Sequence, residues 1–127
     1  MRRLALIAAL AAAVLPFATD VAAKEMPTVQ ISSPPAKLRP HTVWCARITY
    51  TIDGHPADMW GWFPYVQIQR VGSKAIRIFE ARQTAQMGVF SASVVFPRSG
   101  RWEYDVGDGT GLHDGAKGDV VLLGRHR

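Results

Sequence analysis

The chain has one cysteine, Cys45, and therefore neither an intramolecular disulfide nor a cysteine pair for a metal. Its histidines, His41, His55, His113 and His126, form no His-x-His and no Glu-x-x-His spacing, so a recognisable metal motif is missing. No G-x-S-x-G elbow surrounds Ser91, Ser93 or Ser99, and no motif pairs two carboxylates. An enzyme is accordingly not expected, nor is a cofactor. Apolar residues at a period of 3.6 are missing beyond the N-terminus, and so is any internal repeat, which excludes helical bundles and repeat arrays. After residue 18 no apolar run is long enough to cross a bilayer.

What is present begins with a leader. Met1-Arg2-Arg3 supplies a positive start, residues 4–18 are apolar apart from the break at Pro16, and Val21-Ala22-Ala23 offers small residues for a signal peptidase. Cleavage after Ala23 is expected, with retention as an N-terminal anchor the alternative; no cysteine follows the run, so a lipoprotein anchor is excluded. Residues 24–127 then form one domain of sandwich size, exported to the periplasm or the medium, with no transmembrane segment. The net charge of +5 falls by one when Arg2, Arg3 and Asp20 leave with the leader. Mild basicity favours loose association with anionic headgroups or polysaccharides. Nucleic acid is not expected as a partner.

Residues 88–106 carry the clearest pattern. Phe90, Ala92, Val94 and Phe96 alternate with Val89, Ser91, Ser93 and Val95, the period of a strand with one face in a core. Pro97-Arg98-Ser99-Gly100 breaks the run, because proline presets φ and removes a donor. Beyond the turn, Trp102, Tyr104 and Val106 alternate with Arg101, Glu103 and Asp105, a second half-buried strand with its charges outward.

The pattern Gly88-x-Phe90-x-Ala92-x-Val94-x-Phe96-Pro97-x-x-Gly100-x-Trp102-x-Tyr104-x-Val106 resembles the E and F strands of secreted bacterial immunoglobulin-like domains of the YtkA-like and FixH-like kind. The resemblance implies an antiparallel Ig-like sandwich. In antibody-type domains the corner reads Asp-x-Gly-x-Tyr-x-Cys. On that alignment Trp102 stands where the corner tyrosine would be and Tyr104 where the second bridging cysteine would be. Some such domains handle copper through a histidine at the mature N-terminus, whereas the terminus here would be Lys24-Glu25-Met26.

The remaining segments fit an all-β chain of about seven strands. Residues 28–32 read as a short strand and residues 42–52 as a strong one, with Trp44, Ala46, Ile48, Tyr50 and Ile52 inward and Cys45 outward. Residues 65–71 and 75–82 form a hairpin around Gly72-Ser73-Lys74. The run 107–118, GDGTGLHDGAKG, is expected to be irregular. Residues 119–124 read as a closing strand, buried on both faces or covering an edge. Phe90, Val94, Phe96, Trp102, Tyr104, Trp44, Ile48 and Val66 are expected to share one core.

Two surfaces stand out as candidates. The segment 53–64 carries Trp60, Trp62 and Phe63, an unusual apolar load for a loop. Each ring can bury about 150–250 Å², so capping of the sandwich end is the stronger expectation; exposed, the rings would stack on a sugar or a partner protein. Gln69, Arg70, Lys74, Arg77 and Arg82, opposed only by Glu80, make the hairpin basic, and Arg70 and Arg77 are its candidate contact residues. The expected function is an exported Ig-like binding or accessory module acting through its surface on a protein or cell-envelope component. The alternative is a periplasmic metal-handling accessory protein, for copper or calcium. It would use His55, Asp58 and Met59, or the aspartates Asp105, Asp108, Asp114 and Asp119 that flank the glycine-rich run.

Overall fold

The computed structural model describes residues 26–108 and 111–124, with backbone alone for residues 111–115. Residues 1–23, the expected signal peptide, and the tail Arg125-His126-Arg127 lie outside the described residues. Eight strands follow in order: β1 (Thr28–Ile31), β2 (Val43–Ile52), β3 (His55–Pro56), β4 (Tyr65–Arg70), β5 (Ile76–Gln83), β6 (Val89–Val95), β7 (Gly100–Asp108) and β8 (Gly111–Leu122). All pairings are antiparallel, and no helix occurs among the described residues. The strands run β1-β2-β6-β5 and β4-β7-β8, with the two-residue β3 folded back on β2 by the Asp53-Gly54 turn. This is the A-B-E-D and C-F-G order of a constant-type immunoglobulin sandwich.

Strand β5 joins the two sheets. Its first half, from Ile76 to Glu80, pairs with β4, and its second half, Ala81 to Gln83, pairs with β6. The side chains of Phe79 and Ala81 pack against the core, while Ile76 and Ile78 point out. On the opposite side β1 lies against β8, so the sandwich is nearly closed. Closure of this kind removes long free edges, which otherwise invite pairing with other chains.

Period-2 patterning decides what is inside. Trp44, Ala46, Ile48 and Tyr50 of β2, Phe90, Ala92 and Val94 of β6, Val66 and Ile68 of β4, and Trp102, Tyr104 and Val106 of β7 are all buried. The residues between them face solvent or a loop; Cys45 is exposed, its Sγ 3.1 Å from Ser91 Oγ on the neighbouring strand. Ile52, the last residue of β2, is half-buried.

The run 107–118 differs from expectation. It is a hairpin: β7 extends to Asp108 and β8 begins at Gly111. The glycines there leave room for tyrosine rings. A Cβ on Gly107 would fall onto the Tyr65 ring, and one on Gly118 onto the Tyr104 hydroxyl. What weakens strand propensity therefore creates the space that the packing needs. The end of β8 is also corrected: Leu122 is buried but Val121 and Leu123 are exposed, so the apolar run alternates across one covered face.

Two aromatic contacts to β7, one from β2 and one from the residue after β6, stand in for the missing intersheet disulfide. The rings of Trp44 and Tyr104 meet edge to face at 5.1 Å, and Phe96, stacked at 6.3 Å on Trp44, meets Trp102 at 5.5 Å. The Trp102 indole N–H donates to the Arg98 carbonyl, 3.0 Å away and four residues upstream. A tyrosine hydroxyl makes the equivalent bond at the corner of antibody-type domains, so this chain has a tryptophan corner.

Trp102→Ala deletes a buried ring, its intersheet contact with Phe96 and the corner hydrogen bond. The expected loss in a urea titration is about 3–5 kcal/mol, the range for a removed core aromatic, which is most of the stability of a marginal domain at about 5–15 kcal/mol. A loss below about 1 kcal/mol would contradict the packing role of this ring.

Candidate functional site

The strand directions place the loops in two groups. Residues 53–64, 84–88 and the paired strand ends Asp108 and Gly111 lie at one end, and residues 32–42, 71–75, 96–99 and 123–124 at the other.

At the first end the segment 57–64 is anchored by its small and flexible members. Ala57, Met59 and Pro64 are buried, and the Ala57 N–H donates to the Tyr50 carbonyl at 3.0 Å. Asp58 Oδ1 accepts from the Trp60 N–H at 3.1 Å, and the Trp62 N–H closes a turn onto the Met59 carbonyl at 3.0 Å. Gly61, at the third position of that turn, has φ 83°, a value that a side chain would resist. With Met59 filling the end of the core, the rings are turned out: Trp60 is 87% exposed, Phe63 82% and Trp62 37%. The expectation of a buried cap is thereby overturned. The cap is Met59, a residue whose three rotatable bonds fit an irregular gap better than an indole does.

Beneath the exposed rings lies a cleft of about 330 Å³, lined by Gly61, Trp62, Phe63, Tyr65 and Asp108. Asp108, at the end of β7, is the buried charged residue of the described structure. Its carboxylate acts on the phenol of Tyr50 in the core below. Burial first, then the Asp108 charge, hold the Tyr50 hydroxyl far above the usual tyrosine range. Tyr65 does not stand out in the sequence, and Asp108 does so only as one of the aspartates of the glycine-rich run, because nothing local says that the start of β4 and the end of β7 meet.

The metal-ligand candidates do not converge. His55 and Asp58 are exposed, whereas the Met59 thioether is in the core. Asp108 is buried towards Tyr50, and Asp119 is exposed in a 3.3 Å salt bridge with Arg101. The side chains of His113 and Asp114 lie outside the described residues. Among the described residues no group of three or more His, Cys, Asp or Glu side chains is arranged to hold a metal ion.

The basic candidates, by contrast, come together at the second end. Arg70 and Arg77 line one small cleft with Ser73, Ala75, Pro97, Arg98 and Trp102, and Arg70 also lines a larger one. Arg98 comes from the β6–β7 turn and was not singled out by sequence. The immunoglobulin strand order is the signal that would have found it, since that order sets the β6–β7 turn beside the β4–β5 turn. Lys74 and Arg82 are exposed and line neither cleft.

No protein-family model, curated protein or solved structure matches this chain.

Tyr104 is raised as well, by burial and then by the Asp119 charge. In the unfolded chain both tyrosines titrate near the ordinary value of about 10. Above that pH the unfolded state has released protons that the native state retains, so stability is complete below about pH 10 and falls as pH rises towards the folded values. The urea midpoint is therefore expected to drop between about pH 10 and pH 12, and Tyr50→Phe to drop less over that interval. Equal slopes in the two proteins would contradict the coupling of Tyr50 ionisation to folding.

Proposed function

We propose that this chain is an exported binding module, periplasmic or secreted, of the YtkA-like and FixH-like kind. It acts without catalysis, through its surface, on a protein or cell-envelope component. The observation that carries this reading is the outward pair Trp60 and Phe63 on a loop whose backbone is tied to the core. Large rings in water are costly, and a fold that already fills its core with Met59 and Pro64 gains nothing from presenting them. Exposed aromatic groups on a rigid base are the ordinary composition of an interaction hot spot, since little conformational entropy is lost when they are covered. Trp62, the least exposed of the three rings, and the cleft below it give the contact depth. The leader expected at residues 1–23 and the mild positive charge fit an address in or beyond the envelope.

The purified domain should co-sediment with an isolated bacterial envelope fraction, and Trp60→Ser with Phe63→Ser should abolish that retention. The unfolding free energy of the double variant should stay within about 0.5 kcal/mol of the parent for each change, as for other surface sites. Unaltered retention, or a collapse of stability that accounts for the loss, would refute the role given to the loop.

A further inference from the structure

At the end opposite the aromatic loop, four elements enclose a cleft of about 670 Å³. The loop before β2 contributes Arg39, Pro40, His41 and Thr42; β4 contributes Arg70; the β6–β7 turn contributes Pro97, Arg98 and Ser99; and the chain after β8 contributes Leu123 and Gly124. Three guanidinium groups and an imidazole line it, and no carboxylate does. The smaller neighbouring cleft shares Arg70 and Arg98 and adds Arg77, again without an acid. Among the described residues the salt bridge is Arg101 with Asp119, on the outer face of β7 and β8. Among the described residues, then, no salt bridge neutralises the arginines of the cleft. Like charges gathered in one concavity repel, so their placement has a cost that no carboxylate among the described lining residues offsets.

The cleft is also built. Arg70 is half-buried, and its Nε donates to the Ser99 carbonyl at 3.2 Å. Its guanidinium lies over Gly100, where φ is 116°; a Cβ there would stand 2.9 Å from both Nε and Nη2. Glycine is therefore needed twice, for the backbone angle and for the space that the guanidinium fills. The next carbonyl back, that of Arg98, is held by the Trp102 indole at 3.0 Å. Across the cleft the His41 N–H is tied to the Phe96 carbonyl at 2.9 Å, with His41 itself at φ 65°. The turn that carries Arg98 and the loop that carries Arg39 are both fastened to the core.

We propose that this cleft binds a phosphomonoester group carried on an organic body. Guanidinium forks pair with oxyanions through two parallel N–H bonds. A terminal phosphate offers three peripheral oxygens to three arginines, where a carboxylate offers two. The volume exceeds that of a bare phosphate and falls in the range of sites for small organic ligands, about 300–1,000 Å³. Pro40, Pro97 and Leu123 supply apolar wall for the body that bears the phosphate. A soluble sugar phosphate and a lipid headgroup ending in a monoester share this chemistry. The site is separate from the aromatic loop, so Trp60→Ser with Phe63→Ser leaves it unaffected.

Two probes separate the sources: glucose 1-phosphate followed by calorimetry, and phosphatidylcholine vesicles with or without phosphatidic acid followed by co-sedimentation. Salt is kept at about 0.15 M to screen scattered surface charge. The expected result is binding of the free sugar phosphate, of the phosphatidic acid vesicles, or of both, the pattern identifying the source. Arg70→Gln and Arg98→Gln are each expected to weaken it by about tenfold, as for a lost charge-assisted pair. Arg101→Gln, which removes the same charge outside the cleft, should change it less than about twofold. Arg98 is exposed, so its variant decides the matter even if Arg70→Gln disturbs the fold. Failure of both probes to bind, or equal weakening by Arg101→Gln, would overturn the proposal.

Discussion

Two sheets without a covalent tie are held in register here by interlocked rings. Tyr104, Trp44, Phe96 and Trp102 form a continuous chain of contacts that begins and ends on β7 and passes through β2 and the end of β6. Each contact of this type contributes about 0.5–1.5 kcal/mol beyond the area it buries. The two that cross between the sheets, Trp44 with Tyr104 and Phe96 with Trp102, together contribute about 1–3 kcal/mol, which overlaps the about 2–4 kcal/mol typical of a disulfide. The domain therefore does not depend on the redox state of its compartment, which agrees with the exposed, unpaired position of Cys45. It depends instead on shape, because ring contacts are lost over small displacements where a covalent bond would hold.

The same corner organises the second end of the molecule. Trp102 fixes the Arg98 carbonyl and Arg70 fixes the Ser99 carbonyl, so two successive peptide groups of the β6–β7 turn are held by side chains from β7 and β4. Stability and the geometry of the arginine cleft are thus consequences of one local arrangement. At the other end the arrangement differs: Met59 closes the core, and the large rings that might have closed it are left outside. The core is sealed at both ends, yet each end presents a chemically distinct surface, aromatic at one and cationic at the other.

Much of the fold was legible because alternation is a direct record of burial. Trp44, Ile48, Phe90, Val94, Trp102 and Tyr104 could be assigned to one core from period 2 alone, and all are buried. The glycine-rich hairpin was not legible. Its glycines signal loop by propensity, and the reason they sit in strands, the rings of Tyr65 and Tyr104 lying across Gly107 and Gly118, is a tertiary contact. The sequence marks the aromatic loop as unusual but points its rings towards burial, whereas Trp60 and Phe63 face solvent. Hydrophobicity says how much a ring gains from burial and not whether Met59 already occupies the space. Arg70 and Arg77 were identified from a local run of charge, whereas Arg39 and Arg98 come from separate loops and join them only through the strand order.

The cohesion of the two sheets turns on the ring contacts between them acting as a unit in place of a disulfide. A double-mutant cycle at Trp44 and Tyr104, with leucine at either or both positions, measures their interaction apart from the cost of each deletion. Unfolding free energies from urea titration should show the double variant to be less destabilised than the sum of the singles by about 0.5–1.5 kcal/mol. Additivity within about 0.3 kcal/mol would mean that the two rings merely fill volume side by side, and would contradict the claim that their contact ties the sheets together.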